Sequence, residues 1–137
     1  MRKQVSGALG FVLVLGFASS LGAASKPKLS LSAVPTQGSP ATVFIFRGVL
    51  TGVADTEDFY CLTAEWIWEE EADSSLNESE CPPFVSGETK VERTFSEEQS
   101  FRRAGPQRVQ LILRRHDKEI ASATVTVTVR PQFASKN

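Results

Sequence analysis

Three groups of residues in this 137-residue chain have types and spacings with chemical potential. The first is a pair of cysteines, Cys61 and Cys81. In an exported chain an even count favours a disulfide over free thiols. Closing a loop of about 20 residues would stabilise the fold by roughly 3 kcal/mol in the loop-entropy model. Two cysteines and the distant His116 do not make a zinc set, and oxidised cysteines are poor nucleophiles. The second group is acidic: Glu69, Glu70, Glu71, Asp73, Glu78 and Glu80. Paired carboxylates can act as general acid and base, or bind calcium through oxygen. Catalysis needs one carboxyl buried so that its pKa rises. These acids stand in a run with Ser and Asn, and no D-x-D-x-D-G loop is present. They read as a solvated face, with calcium as a secondary expectation and catalysis as the last. Asn77-Glu78-Ser79 fits a glycosylation sequon, which matters only where the host has that machinery. The third group is His116 alone, between Arg115 and Asp117, and it reads as an exposed turn residue. There is no G-x-S-x-G elbow. No catalytic set and no cofactor are expected.

The elements that position these residues read as strands. Tyr60 to Trp68 alternates strictly: Tyr60, Leu62, Ala64, Trp66 and Trp68 on one face, Cys61, Thr63, Glu65 and Ile67 on the other. Side chains point alternately to the two sides of a sheet, so this is a half-buried strand, expected to be central. Trp66 and Trp68 together offer more apolar area than any other pair, and read as core rather than as a sugar platform. Cys61 falls on the face opposite the tryptophans, which places the bridge outside the core, pinning the following loop. Lys28 to Pro35 reads as an edge strand. Ala41 to Thr51 holds the apolar run Val43-Phe44-Ile45-Phe46, as in a strand covered on both sides or lying mid-sheet. Glu69 to Gly87 has no period and reads as a long loop, the first candidate contact surface, in particular Glu69, Glu70, Glu71, Asp73, Asn77, Glu78 and Glu80. Thr89 to Phe95 alternates, Glu97 to Phe101 reads as a polar crossover, and Ala104-Gly105-Pro106 as a turn. Arg108 to Arg114 and Ile120 to Val129 are strands, joined by a hairpin tip at Arg115 to Glu119, the second candidate surface. The expectation is an all-β antiparallel sandwich of about seven strands.

The chain opens with Arg2 and Lys3, an apolar run from Ala8 to Phe17, and the small residues Gly22-Ala23-Ala24. That is the pattern of a secretory signal peptide over residues 1–24, leaving one domain over residues 25–137. The apolar run is short of the ~18 residues that span a bilayer, so no membrane span is expected after cleavage. Loss of Arg2 and Lys3 with the leader would take the net charge from −1 to −3, too mild to argue for nucleic acid or an anionic membrane. The charge is nonetheless uneven. From Asp55 to Glu98 the only basic residues are Lys90 and Arg93, whereas Phe101 to Lys118 carries Arg102, Arg103, Arg108, Arg114, Arg115 and Lys118. Pairing between neighbouring strands is the expected cause, ahead of a dipolar surface that orients a partner.

The order of landmarks resembles a PKD-type domain, one of the immunoglobulin-like sandwiches. In that family a Trp strand runs into an acidic, glycine-rich turn, and here Trp66-Ile67-Trp68-Glu69-Glu70-Glu71 holds that place. A later aromatic, a Pro-Gly turn and an alternating strand follow. Here Phe101 to Leu113 fits that register, with Gly105, Val109 and Leu111 matching and Phe101 standing for the first aromatic. Trp66, Trp68, Phe101 and Gly105 are thus the core landmarks. Ile67 replaces the family's Asp, the glycines of the turn are Glu, and Gln107 replaces a second aromatic. A longer, disulfide-pinned loop takes the place of that turn. The resemblance covers roughly Leu29 to Arg130. It implies an exported, periplasmic or extracellular, non-catalytic module that binds an envelope or extracellular protein or a glycan. The alternative is an exported enzyme inhibitor presenting the constrained loop.

Overall fold

The computed structural model describes residues 26–70, 74–77 and 80–132. The expected signal peptide over 1–24 lies outside them, as do Glu71, Asp73 and Glu78. Period-two alternation builds almost everything described. The strands are β1 Lys28–Val34, β2 Gln37–Gly38, β3 Phe44–Thr51, β4 Thr63–Trp68, β5 Ser74–Asn77, β6 Thr94–Gln99, β7 Gly105–Arg115 and β8 Lys118–Val129. One 3-10 turn, Glu57–Phe59, interrupts the β3–β4 connection. Among the described residues no helix is long and apolar enough to cross a membrane.

The strands form two sheets, one in the order β1-β3-β6 and the other β2-β8-β7-β4-β5. Pairing is antiparallel throughout, except that the two-residue β2 lies parallel to β8. The long β7–β8 hairpin carries a register irregularity at Leu113/Arg114. The inner faces meet in one apolar layer. Phe44, Phe46 and Leu50 from β3 face Ala64, Trp66 and Trp68 from β4, with Val109, Leu111 and Leu113 from β7 and Val127 and Val129 from β8. Trp66 is 0 % exposed and Trp68 4 %. Their rings lie parallel, 5.7 Å apart. Phe46 presents an edge to Trp68 at 5.4 Å and to Phe101 at 6.2 Å. Aromatic pairs favour such tilted and offset geometries because ring edge and ring face carry opposite partial charge. Gly48 is the hole in this layer: a Cβ there would stand 2.5 Å from Leu111 Cδ2, so Leu111 fills the space that a side chain would take. Trp66 Nε1 is buried without a hydrogen-bond partner among the described residues, a cost of about 1–3 kcal/mol that burial of the indole must exceed.

Several elements differ from the sequence expectation. β4 begins at Thr63 rather than Tyr60, because Cys61 takes a φ of 55°, outside the extended region of a regular strand. β4 is flanked on both sides, but the middle strand of its sheet is β7. The Val43–Phe46 run is covered on one side only: Phe44 and Phe46 are buried, whereas Val43 is 54 % and Ile45 46 % exposed. That run does lie mid-sheet. The expected loop from Glu69 to Gly87 contains β5, a polar edge strand on β4, where Trp68 Nε1 donates to Ser75 Oγ at 3.4 Å. The expected strand over Thr89–Phe95 begins only at Thr94 and continues through the supposed crossover to Gln99. Ladder pairing with β3 uses backbone groups, so the polar side chains of Ser96 to Gln99 do not prevent it. Gly105 and Pro106 open β7 instead of turning the chain. Gly105 has φ 109°, a region essentially closed to other residues, and a strand's first positions tolerate Pro. The described strands therefore number eight rather than about seven.

Truncating the hub of the apolar layer, Phe46→Ala, is expected to lower the unfolding free energy by about 3–5 kcal/mol in urea titrations. Iodide should leave the tryptophan fluorescence of the parent chain nearly unquenched. An accessible indole in the parent would contradict the packing described.

Candidate functional site

The disulfide and His116 lie at the end of the sandwich where β1 begins and β7 turns into β8. Cys61 and Cys81 are bonded there, with Cα atoms 6.0 Å apart, inside the range a bridge spans. Cys61 is exposed and Cys81 half-buried, so the bridge lies outside the core. Tyr60 reinforces it. Its hydroxyl donates to the Pro82 carbonyl, and its ring packs on Phe84 with centroids 5.4 Å apart. The Tyr60 carbonyl accepts from Arg115 Nη1 at 2.9 Å, which ties the disulfide to the β7–β8 hairpin. Beyond Phe84 the chain closes a turn on itself. Val85 N–H donates to Thr89 Oγ1 at 2.8 Å, and the Val85 carbonyl accepts from the N–H groups of Glu88 and Thr89 at 3.1 and 2.9 Å. Gly87, with φ 81°, allows that turn.

A second brace lies beside the first. Asp55 Oδ1 accepts from the Val91 N–H at 3.0 Å and from Arg93 Nη1 at 2.9 Å, while Lys90 Nζ stands 3.4 Å from Oδ2. Arg93 also donates to the carbonyls of Val53 and Val91. The loop after β3 is thereby fastened to the segment before β6. The Val91 N–H, and then the Arg93 guanidinium, hold the Asp55 carboxyl below its ordinary range.

Two hollows flank these braces. An open groove of about 910 Å³ is lined by Pro27, Asp58, Phe59, His116, Lys118 and Ile120, among others. A smaller one of about 210 Å³ lies against the disulfide, between Tyr60 and Lys90. His116 occupies the two-residue turn between β7 and β8 with φ 53°, exposed, as the sequence implies.

The acidic run does not act as one surface. Glu69 and Glu70 lie at the opposite end of the sandwich, and their carboxylates take backbone donors. Glu69 Oε2 accepts from the Arg108 N–H at 2.7 Å. Glu70 accepts from the N–H groups of Arg102 and Arg103 at 2.7–2.8 Å. Asn77 pairs with Ala64 in the β4–β5 ladder, and Glu80 is exposed next to Cys81. Among the described residues no group of three or more His, Cys, Asp or Glu is placed to hold a metal ion. The uneven charge is partly internal pairing, since Arg114 Nε meets Glu65 Oε2 at 3.0 Å across β7 and β4. The landmarks are core: Trp66, Trp68 and Phe101 are buried, and Gly105 supplies the backbone that starts β7. Sequence reading missed Asp55, Arg93 and Thr89. Asp55 and Arg93 sit 38 positions apart, and nothing in either local pattern marks the pair.

The overall arrangement is similar to that of a solved structure. The PKD domain of an M14-like peptidase from a Thermoplasmatales archaeon is similar at TM-score 0.51 and 19 % identity, over 77 % of this chain and 96 % of that one. The chain has a PKD-like fold. At that identity the likeness concerns fold alone. No protein-family model matches the chain, and no curated protein matches it by sequence.

Two outcomes test the braces. Replacing both cysteines (Cys61→Ala with Cys81→Ala) should cost about 3 kcal/mol, read as a lower urea midpoint, with a steeper slope because the unlinked denatured chain is less compact. For Asp55 the folded carboxyl titrates below the unfolded one. Its contribution is therefore complete above the unfolded value, near 3.9, and fades as pH falls through the folded one. Asp55→Asn should remove stability at pH 7 and flatten the acid limb of a stability–pH curve below about pH 4. An unchanged acid limb would contradict the assignment.

Proposed function

We propose that this chain is an exported, non-catalytic PKD-like module that binds another envelope or extracellular protein, or a glycan. The leader pattern at residues 1–24 supports export, with cleavage after Ala24 leaving one domain over residues 25–137. Disulfides persist in oxidising compartments, and the Cys61–Cys81 bridge fits a periplasmic or extracellular setting. The observation that carries the reading is where that bridge acts. It joins two loop segments outside the apolar core, together with Tyr60 and Phe84, and so fixes a surface rather than an interior. Loops held in place by a rigid sandwich are where such scaffolds present their contacts.

A second reading, an enzyme inhibitor, draws support from the same brace. A constrained loop has less conformational freedom to lose on binding. Undiminished protease and glycosidase activity in the presence of excess chain would remove it for the enzymes assayed.

The first reading is tested by immobilising the exported chain and exposing it to envelope extract and to a glycan array. A specific, saturable ligand is expected. Failure to retain any ligand from either source would overturn the proposal.

A further inference from the structure

We infer that the module meets its partner through the segment Pro82 to Glu88, and that the partner is a protein with an apolar cleft rimmed by lysine or arginine. This rests on the binding reading above and names its surface. The segment is fixed at both ends yet open along its crest. At its start stand the Cys61–Cys81 bond and the Tyr60 hydroxyl on the Pro82 carbonyl. In its middle the Phe84 ring packs on Tyr60. At its end Val85 and Thr89 exchange hydrogen bonds through both side chain and backbone. Between these anchors Pro82 and Pro83 are exposed, and Val85 is 47 % exposed. Two consecutive prolines have their φ angles set by their rings, so the crest has little left to order when it docks.

The chemistry of the crest selects the partner. Pro82, Pro83 and Val85 offer no side-chain hydrogen-bonding group, which suits an apolar cleft and not the hydroxyl-rich surface of a sugar. The nearby rings of Tyr60 and Phe84 lie against each other rather than standing free as a stacking platform. Glu80 and Glu88 flank the crest, both exposed and neither ion-paired among the described residues. Lys90, which lines the hollow beside Cys81 and Pro82, is engaged by Asp55. The border of the crest is therefore acidic, and a complementary cleft carries cations at its rim.

The test places the photo-crosslinker benzoylphenylalanine at position 85 of the full chain, expressed in its host. Parallel chains carry it at position 45 on the outer face of β3 and at position 126 on the outer face of β8. Position 85 is expected to yield a discrete protein adduct at about ten times the level of either control position. Reversing the flanking charges (Glu80→Lys with Glu88→Lys) should lower that yield by about fivefold or more. The partner residues joined to position 85 should be apolar and bordered by Lys or Arg. Adducts from position 45 or 126 without one from 85 would overturn this surface while leaving the binding reading intact. A glycan adduct at 85, or a yield indifferent to charge reversal, would overturn the stated partner chemistry. No adduct from any position would overturn both readings together.

Discussion

The contact of Phe46 with the stacked indoles of Trp66 and Trp68 is the constraint on which the rest of the molecule depends. It is where the three-stranded and five-stranded sheets touch, and it fixes how far apart they lie. With Phe44 and Phe101 added, five aromatic rings fill the middle of the layer, the two indoles stacked and the others tilted against their neighbours. Such a cluster tolerates little sliding, because each ring is held by more than one neighbour. Gly48 sets the second point of registry. It stands on the inner face of β3 between Phe46 and Leu50, and Leu111 of the opposite sheet enters the gap. A bulky ring and an absent side chain, two positions apart on one strand, therefore lock both sheets in place.

Once the layer is fixed, the two ends of the sandwich have different problems. At one end the chain leaves β4 in an acidic run. There Glu69 and Glu70 act as acceptors for backbone N–H groups around β7, doing for the Arg102–Arg108 stretch what a neighbouring strand would do. At the other end the long connections before β4 and β6 have few strand partners. They are fastened by the disulfide, by Tyr60 and by the Asp55–Arg93 pair. These are side-chain and covalent devices, so they hold particular points and leave the backbone between them exposed. The acids near the core thus serve structure, whereas Glu80 and Glu88 remain exposed at the border of the braced segment.

Much of this was legible in the sequence because burial on one face imposes period two. The inward sets of β4, β7 and β8 follow directly from alternation, as do the tryptophans; the disulfide does lie outside the core, although Cys61 stands before β4 and not on its outer face. The failures share a cause. β6 carries Ser96, Glu97, Glu98 and Gln99, and β5 is Ser74 to Asn77, so neither shows an apolar pattern. Both exist because a neighbouring strand offers backbone partners, which is a property of the pairing and not of the segment itself. Cys61 delays the start of β4 through a backbone angle that its residue type does not announce. The same limit applies to the candidate site. An acidic run suggests a surface, but whether a carboxylate faces solvent or an N–H group depends on what the fold brings opposite, and Arg102 is 32 positions from Glu70.

That separation between core and braces has a consequence for how the molecule can vary. Among the described residues the Tyr60–Phe84 ring pair stands apart from the ring cluster around Phe46, so a change in one set should leave the other's energetics nearly unaltered. A sandwich built this way can hold its stability in the apolar layer while the crest between Cys81 and Thr89 changes composition. The bridge and the Val85–Thr89 turn would still set the path of that crest, because both act on the ends and not on the exposed side chains. The crest residues then have positions imposed from either side whatever their identity, which is why a fold shared at low identity says so little about what a chain binds.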